Sequence, residues 1–386
     1  MQARAATLVV AGLSVRALAE SARQAGWQAI ALDLFGDADT RRASRRWHAI
    51  GEPGSLAIDA SRLRAALAEA AGEPGVIGWV AGSGFDGAPE LLAAAPAALP
   101  LLGMPPHAVR AVRDVQGFLD TLARLGLACP ETRLQAPADP RGWLVKHAGG
   151  SGGWHIRSAG VDAAAGPGAY YQRQHAGTPM SALFLADGRQ ARRVALNRLI
   201  VGPLGARPFV YRGAVGPIRE PGLEAGIDRA LAALVPAFAL RGLASLDFIA
   251  APDGIRLLEI NPRPSGSMVL HGDAWPAGLL QAHVRAVQGT LPSDPPRHRA
   301  GLRGTEVVFA PQPRRLGAAL AGALGAMADC HDLPGAGTCL AAGDPVCSVT
   351  AEAADAAALD RALADRVRAV RAMLEANRQD NEETVR

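Results

Sequence analysis

The chain has 386 residues and is almost without lysine. Of its 40 lysines and arginines, one is lysine, Lys146, and the others are arginine. Cysteine is scarce too, with four residues at 129, 330, 339 and 347 and no CxxC pair. That excludes a disulfide-built scaffold and leads to the expectation of a reduced, cytoplasmic protein. Cys330, His331, Cys339 and Cys347 could be grouped as zinc ligands, but their spacing fits no zinc knuckle. Aromatic residues make up 4% of the chain, and no basic run is interleaved with them, so nothing specific points to nucleic acid. The densest basic stretch, "TRRASRRWH" (residues 40–48), reads as a solvated arginine face. No run of about 18 apolar residues is present, so no membrane span is expected. The N-terminus runs into an amphipathic pattern without a small-residue cleavage site, which argues against a signal peptide. With 49% hydrophobic and 20% charged residues and a net charge of +4, the composition is that of a globular protein of two or three domains.

The one lysine sits in "LVKHAGGSGGWHI" (residues 144–156), directly before a glycine loop. A Walker loop places its lysine after the glycines, so this is a different device. Arginine serves wherever a generic positive charge is needed here. A site that keeps lysine needs a compact ammonium, which a wide planar guanidinium does not replace.

The chain reads in three parts. In residues 1–103, "ATLVVAG", "SVRALAESARQAG" and "WQAIALDLFG" form a β-α-β unit ending at Asp33. The turn lacks the second and third glycines of a dinucleotide fingerprint, so an NAD reading is weak. The strand "VIGWV" leads into the small-residue loop "AGSGFDG" (residues 81–87), the kind of strand-end loop that lines a crevice. Residues 104–290 open with a helix over 107–126. Strands follow in "GWLVKHA", "YYQRQHA", "MSALFLADG" and "RQARRVALNRLIV". The helix "GLEAGIDRALAALVPAFALRG" then leads into "LASLDFIAAPDGIRLLEINPRPSGS". Residues 291–386 begin with the proline-rich "LPSDPPRHR", carry strands at "EVVFA" and "DPVCSVTAE", and close with a long helix and a polar tail expected to fray.

Asp247, Glu259 and Asn261 lie in otherwise apolar strands, where charge is costly unless paired or metal-bound. Glu259 and Asn261, two apart, share a face, and Asp247 falls on the preceding strand of a hairpin. Two carboxylates and an amide oxygen make a hard-oxygen set suited to Mg²⁺ shared with nucleotide phosphates. Arg263 adds a fork for a phosphoryl oxygen. A salt bridge from Glu259 to an arginine is the plainer explanation, but it leaves Asp247 and Asn261 without a reason.

Together, "LVKHAGGSGG", "YYQRQHAG", "LDFI" and "LLEINPRPSGS" resemble the ATP-grasp superfamily of carboxylate–amine ligases. The resemblance implies an α/β chain with a Rossmann-like pre-ATP-grasp domain (1–103), an α+β ATP-grasp domain (104–290) and a small C-terminal α+β domain (291–386) resembling that of biotin-carboxylase-like proteins. It implies that Lys146 binds the α- and β-phosphates of ATP and that Gly149, Gly150, Ser151, Gly152 and Gly153 form the loop over them. Tyr171, Gln172 and Gln174 would lie in the hinge at adenine. Asp247, Glu259 and Asn261 would hold Mg²⁺, with Mn²⁺ as a substitute, and Arg263 would steady the transferring phosphoryl group. The chain departs from the pattern twice. The hinge has Gln172 or Arg173 where glutamate is common, and Asp114-Val115 stands where Asp-Lys is common, with Arg113 as a nearby cation.

The resemblance implies an ADP-forming ligase that joins a carboxylate to an amine through an acyl phosphate. Further stretches, "FGDADT", "GSGFDGAPELL", "PFVYRGAVGP" and "GDPVCSVTAE", are similar to a carboligase subfamily that includes the tyramine–glutamate ligase of methanofuran biosynthesis. "GSGFDG" and "YRGAVGP" are candidate substrate loops. A bicarbonate-dependent carboxylase and a non-catalytic ATP-binding regulator are the rivals, and a homodimer is possible by analogy.

Overall fold

The computed structural model describes residues 5–160 and 166–377. The polar tail expected to fray lies outside them. A parallel sheet opens the fold, in the order Arg46–Ala49, Gln28–Asp33, Thr7–Ala11, Val76–Ala81. Every residue of Thr7–Ala11 is buried, as expected for a strand covered on both faces, which reads as an apolar run rather than an alternation. Helix Arg16–Gln24 makes the crossover. Asp33, at the end of the second strand, is fully buried. Its carboxylate accepts from Val15 N (3.2 Å), Gly36 N (2.9 Å) and Trp47 Nε1 (2.6 Å). Those bonds close the turns at the strand ends and engage the carboxylate within the chain.

The helix expected over 107–126 is two helices, Pro106–Arg113 and Val115–Arg124. Asp114 between them leaves the helical region, with φ −73° and ψ 103°. Its carbonyl accepts the first bond of the second helix from Phe118 N (2.8 Å). Aspartate at this position favours a helix start over a helix interior.

The middle and last parts share one eight-stranded antiparallel sheet. Its order is Gly254–Asn261, Arg241–Ala251, Thr178–Asp187, Ala191–Leu204, Arg207–Ile218, Leu302–Phe309, Pro345–Ala353, Cys330–His331. The stretch "YRGAVGP", expected as a substrate loop, instead lies in the strand Arg207–Ile218, paired on both sides. Val210, Ala214 and Val215 are fully buried there, and that apolar content drives the segment into the sheet. A separate four-stranded sheet, in the order Thr132–Arg133, Ala169–Arg173, Trp143–His147, Arg157–Ser158, carries the lysine. Helix Ala356–Ala376 covers the last part, turning Leu359, Leu363, Val367, Val370 and Leu374 inward at helical spacing.

One apolar cluster runs from Ile30 and Trp79 in the first sheet through Phe118 and Leu122 to Phe238, Phe184 and Phe248 under the large sheet. Fully buried side chains of this size each contribute about 1.5–3 kcal/mol. Buried His283 adds a polar tie: its Nδ1 accepts from Leu243 N (2.7 Å), and its Nε2–H donates to the carbonyl of Leu102 (2.7 Å). Cys330 and Cys347 are buried and Cys339 is exposed. Among the described residues no group of three or more His, Cys, Asp or Glu is placed to hold a metal.

Candidate active site

The strand Trp143–His147 turns Lys146 inward, where it is 7% exposed. Its Nζ donates to Oε1 of buried Gln172 on the neighbouring strand at 2.7 Å. Burial pulls the Lys146 pKa down, while the carboxylates of Glu259 and Asp247 oppose that pull. Tyr171 points the other way, into a small cluster with Trp143 and Val145. Its backbone is paired with Arg133 on one side and Val145 on the other. Gln174 is exposed, and its N–H is bonded to Gly142 O (2.8 Å).

The glycine loop lies against the strand Arg207–Ile218. Tyr211 N donates to Gly152 O (2.9 Å). Gly153 has φ +76°, and a Cβ there would overlap the carbonyl of Phe209. A Cβ on Gly150 would overlap the His155 ring. Glycine is required at both positions by space, and at Gly153 also by backbone conformation. Gly149 packs against Gly87 of the loop 81–87, so the two small-residue loops noted in the sequence meet.

The acidic strands form the expected hairpin, with Asp247 directly opposite Glu259. A directly opposed pair has its Cβ atoms about 5 Å apart on one face. Asn261 Nδ2 donates to Asp247 Oδ2 at 3.0 Å, so the three side chains converge. Burial and the Glu259 carboxylate push the Asp247 pKa up. Glu259 is also paired with Arg113 Nη1 at 3.0 Å. The plainer salt-bridge explanation is thus realised, yet alongside the convergence rather than in place of it. Two carboxylates and an amide oxygen fit a hard cation that takes its other ligands from phosphates.

Arg263, beyond the hairpin, donates from Nη2 to Ser151 Oγ of the glycine loop (3.1 Å) and from Nε to Asp86 Oδ2 (2.8 Å). Asp86 was not singled out by the sequence beyond its place in the loop 81–87. A buried acid among small residues was the available signal. Burial favours its neutral form, but Arg263 and Arg113 overcome that and hold its pKa down to about 2. Beside the loop opens a cavity of about 780 Å³ bordered by His147, Trp154, His155, Arg157 and Arg207, with no acidic side chain in its lining among the described residues. Burial lowers His155 to about 4, so its imidazole is neutral at pH 7.

Residues 115–267 match the model of the ATP-grasp domain. No protein with a curated description matches the chain in sequence. Among solved structures it is similar to a biotin carboxylase β,γ-ATP complex from Campylobacter jejuni, with 14% identity and TM-score 0.70 over 93% of this chain and 90% of that one. It is similar to the biotin carboxylase domain dimer of Hydrogenobacter thermophilus 2-oxoglutarate carboxylase, solved with MgADP, ADP and bicarbonate (13% identity, TM-score 0.68, 94% and 89%). It is also similar to N5-carboxyaminoimidazole ribonucleotide synthetase from Thermus thermophilus (18% identity, TM-score 0.63, 93% and 96%). At these identities the likeness is one of fold. The match to the ATP-grasp domain model over residues 115–267 thus falls within a fold shared along nearly the whole chain with biotin carboxylases and this synthetase.

Proposed function

We propose that the chain is an ATP- and magnesium-dependent carboxylate–amine ligase that forms an amide through an acyl phosphate and releases ADP and phosphate. The observation that carries this reading is the convergence of Asp247, Glu259 and Asn261, with Lys146 within the electrostatic reach of both carboxylates and Arg263 bonded to the glycine loop, in the segment that matches the ATP-grasp domain model.

In this reading Lys146 meets the α- and β-phosphates as a point charge. Gln172 is a neutral partner that fixes the lysine without cancelling its charge. The glycine loop lays backbone N–H groups over the triphosphate and excludes water. Asp247, Glu259 and Asn261 hold Mg²⁺ or Mn²⁺, which supplies charge neutralisation at the phosphates. Arg263 steadies the transferring group from the loop side. A substrate carboxylate attacks the γ-phosphorus to give the acyl phosphate and ADP, and an amine then attacks the acyl carbon and expels phosphate. The cavity with His147, His155, Arg157 and Arg207 suits a carboxylate substrate. The finer reading, glutamate joined to tyramine or a related amine in a methanofuran-type pathway, rests on the subfamily resemblance.

A second reading, bicarbonate as the acid, is favoured by the likeness to biotin carboxylases across more than nine-tenths of the chain. Turnover of Mg-ATP against a panel of carboxylates and amines, glutamate with tyramine included, separates the two. ADP release that needs both an acid and an amine supports the ligase. ADP release with bicarbonate and no amine supports the carboxylase. AMP with pyrophosphate contradicts both.

A further inference from the structure

Neither the metal donors nor the glycine loop accounts for Asp86. Its side chain is 3% exposed, and both carboxylate oxygens are taken by arginines of the middle part. Oδ1 accepts from Arg113 Nη2 at 2.6 Å and Oδ2 from Arg263 Nε at 2.8 Å. Each arginine has a second contact inside the cleft: Arg113 Nη1 to Glu259 Oε2 at 3.0 Å, and Arg263 Nη2 to Ser151 Oγ at 3.1 Å. One acid from the first part thus ties a proposed metal donor to the glycine loop.

The geometry at Arg113 carries the inference. A guanidinium meeting a single carboxylate favours two parallel N–H bonds. Here the fork is split, one bond to Asp86 and one to Glu259, while Arg113 Nε is buried with no partner among the described residues. The arginine is therefore under-used at both acids and held between them. Val115 stands where the family resemblance puts a lysine, so Arg113 is the adjacent cation and Asp86 decides where its charge sits.

We propose that Asp86 is a positioning residue for the Mg-ATP site: it holds Arg113 in a shared position, so that Glu259 remains exchangeable between that arginine and a divalent cation, and it holds Arg263 against the loop. The proposal rests on reading the cleft as a Mg-ATP site. Without the Asp86 carboxylate, Nη2 of Arg113 is released to join Nη1 on Glu259, and the arginine competes with the cation.

The test is calorimetric ATP binding by the full chain across a Mg²⁺ titration, and in EDTA, with thermal melting as the check on folding. In Asp86→Asn the Mg²⁺ concentration for half-maximal effect rises about tenfold, the equivalent of one charge-assisted bond gained by the competing arginine. ATP affinity in EDTA does not fall, because the cleft has lost a negative charge. In an Arg113→Ala background, Asp86→Asn no longer raises the Mg²⁺ requirement. A general structural defect would lower both affinities and would survive removal of Arg113. Asp86→Asn that melts like the wild type yet leaves the Mg²⁺ requirement within about twofold overturns the proposal. A rise of equal size in the Arg113→Ala background overturns it too. If Asp86→Asn does not fold, Arg113→Ala alone decides: it lowers the Mg²⁺ requirement if the arginine competes for Glu259, and a higher requirement refutes that. A wild-type protein that binds ATP with no dependence on Mg²⁺ overturns the underlying nucleotide reading, and this proposal with it.

Discussion

Lys146, the one lysine in the chain, is buried and donates to the side-chain oxygen of Gln172 at 2.7 Å. A neutral acceptor holds the ammonium in place without neutralising it, which leaves its charge for an anion. Lys146→Ala is expected to remain folded, the relief of a buried charge offsetting the lost bond to Gln172, and to lose Mg-ATP turnover by about 10²–10³-fold. Lys146→Arg is expected not to restore turnover, since the guanidinium needs more room than the strand pair gives. Steady-state kinetics and melting curves check both, and an active Lys146→Ala refutes the assignment.

Gln172→Leu isolates the partner. It leaves the Lys146 ammonium without its acceptor in a buried site. The expected loss is about 1–3 kcal/mol in denaturant unfolding, together with weaker ATP binding because the lysine is no longer fixed. A variant as stable as the wild type would mean the bond is incidental.

At Gly153 the loop leaves no room for a side chain, and φ is positive. Gly153→Ala must shift the loop off the Phe209 carbonyl and strain the Tyr211–Gly152 bond. Global stability is expected to fall by about 1–3 kcal/mol, the usual cost of a strained backbone position, and ATP affinity to fall with it. Gly160→Ala, whose Cβ would meet nothing among the described residues, is the control and is expected to change neither.

His283 provides a pH signature. Burial lowers its pKa from 6.5 to about 4. The unfolded chain takes up a proton there as pH drops below 6.5, and the folded chain refuses it until about pH 4. Stability contributed by the neutral imidazole is therefore full above pH 6.5 and is lost as pH falls toward 4. The slope from this one group is up to about 1.4 kcal/mol per pH unit. Urea unfolding of His283→Gln is expected to show a lower midpoint at pH 7 and a flatter decline between pH 7 and 5. An unchanged slope would contradict it.

Much of this fold was legible because its signals are local. The parallel strands are continuous apolar runs, and the hairpin that opposes Asp247 to Glu259 follows from two apolar stretches separated by "APDG". The break at Asp114 was hidden because its neighbours keep helical periodicity across it, and a backbone excursion at one residue leaves no periodic trace. The strand Arg207–Ile218 was hidden because its glycines and proline look like loop chemistry, whereas the tight approach of the Leu302–Phe309 strand demands the glycine at 213. Asp86 was the larger omission. Its partners Arg113 and Arg263 lie 27 and 177 residues away, and pairing across such separations is set by packing of whole elements, not by spacing.

The most direct measurement needs no knowledge of the substrates: calorimetric binding of ATP to the wild type and to Asp247→Asn, with and without Mg²⁺. The expected result is tight binding by the wild type that strengthens with Mg²⁺, and a variant that still binds ATP in EDTA but gains little from the metal. Absence of ATP binding, or a metal effect of equal size in the variant, would contradict the assignment of this cleft to Mg-ATP.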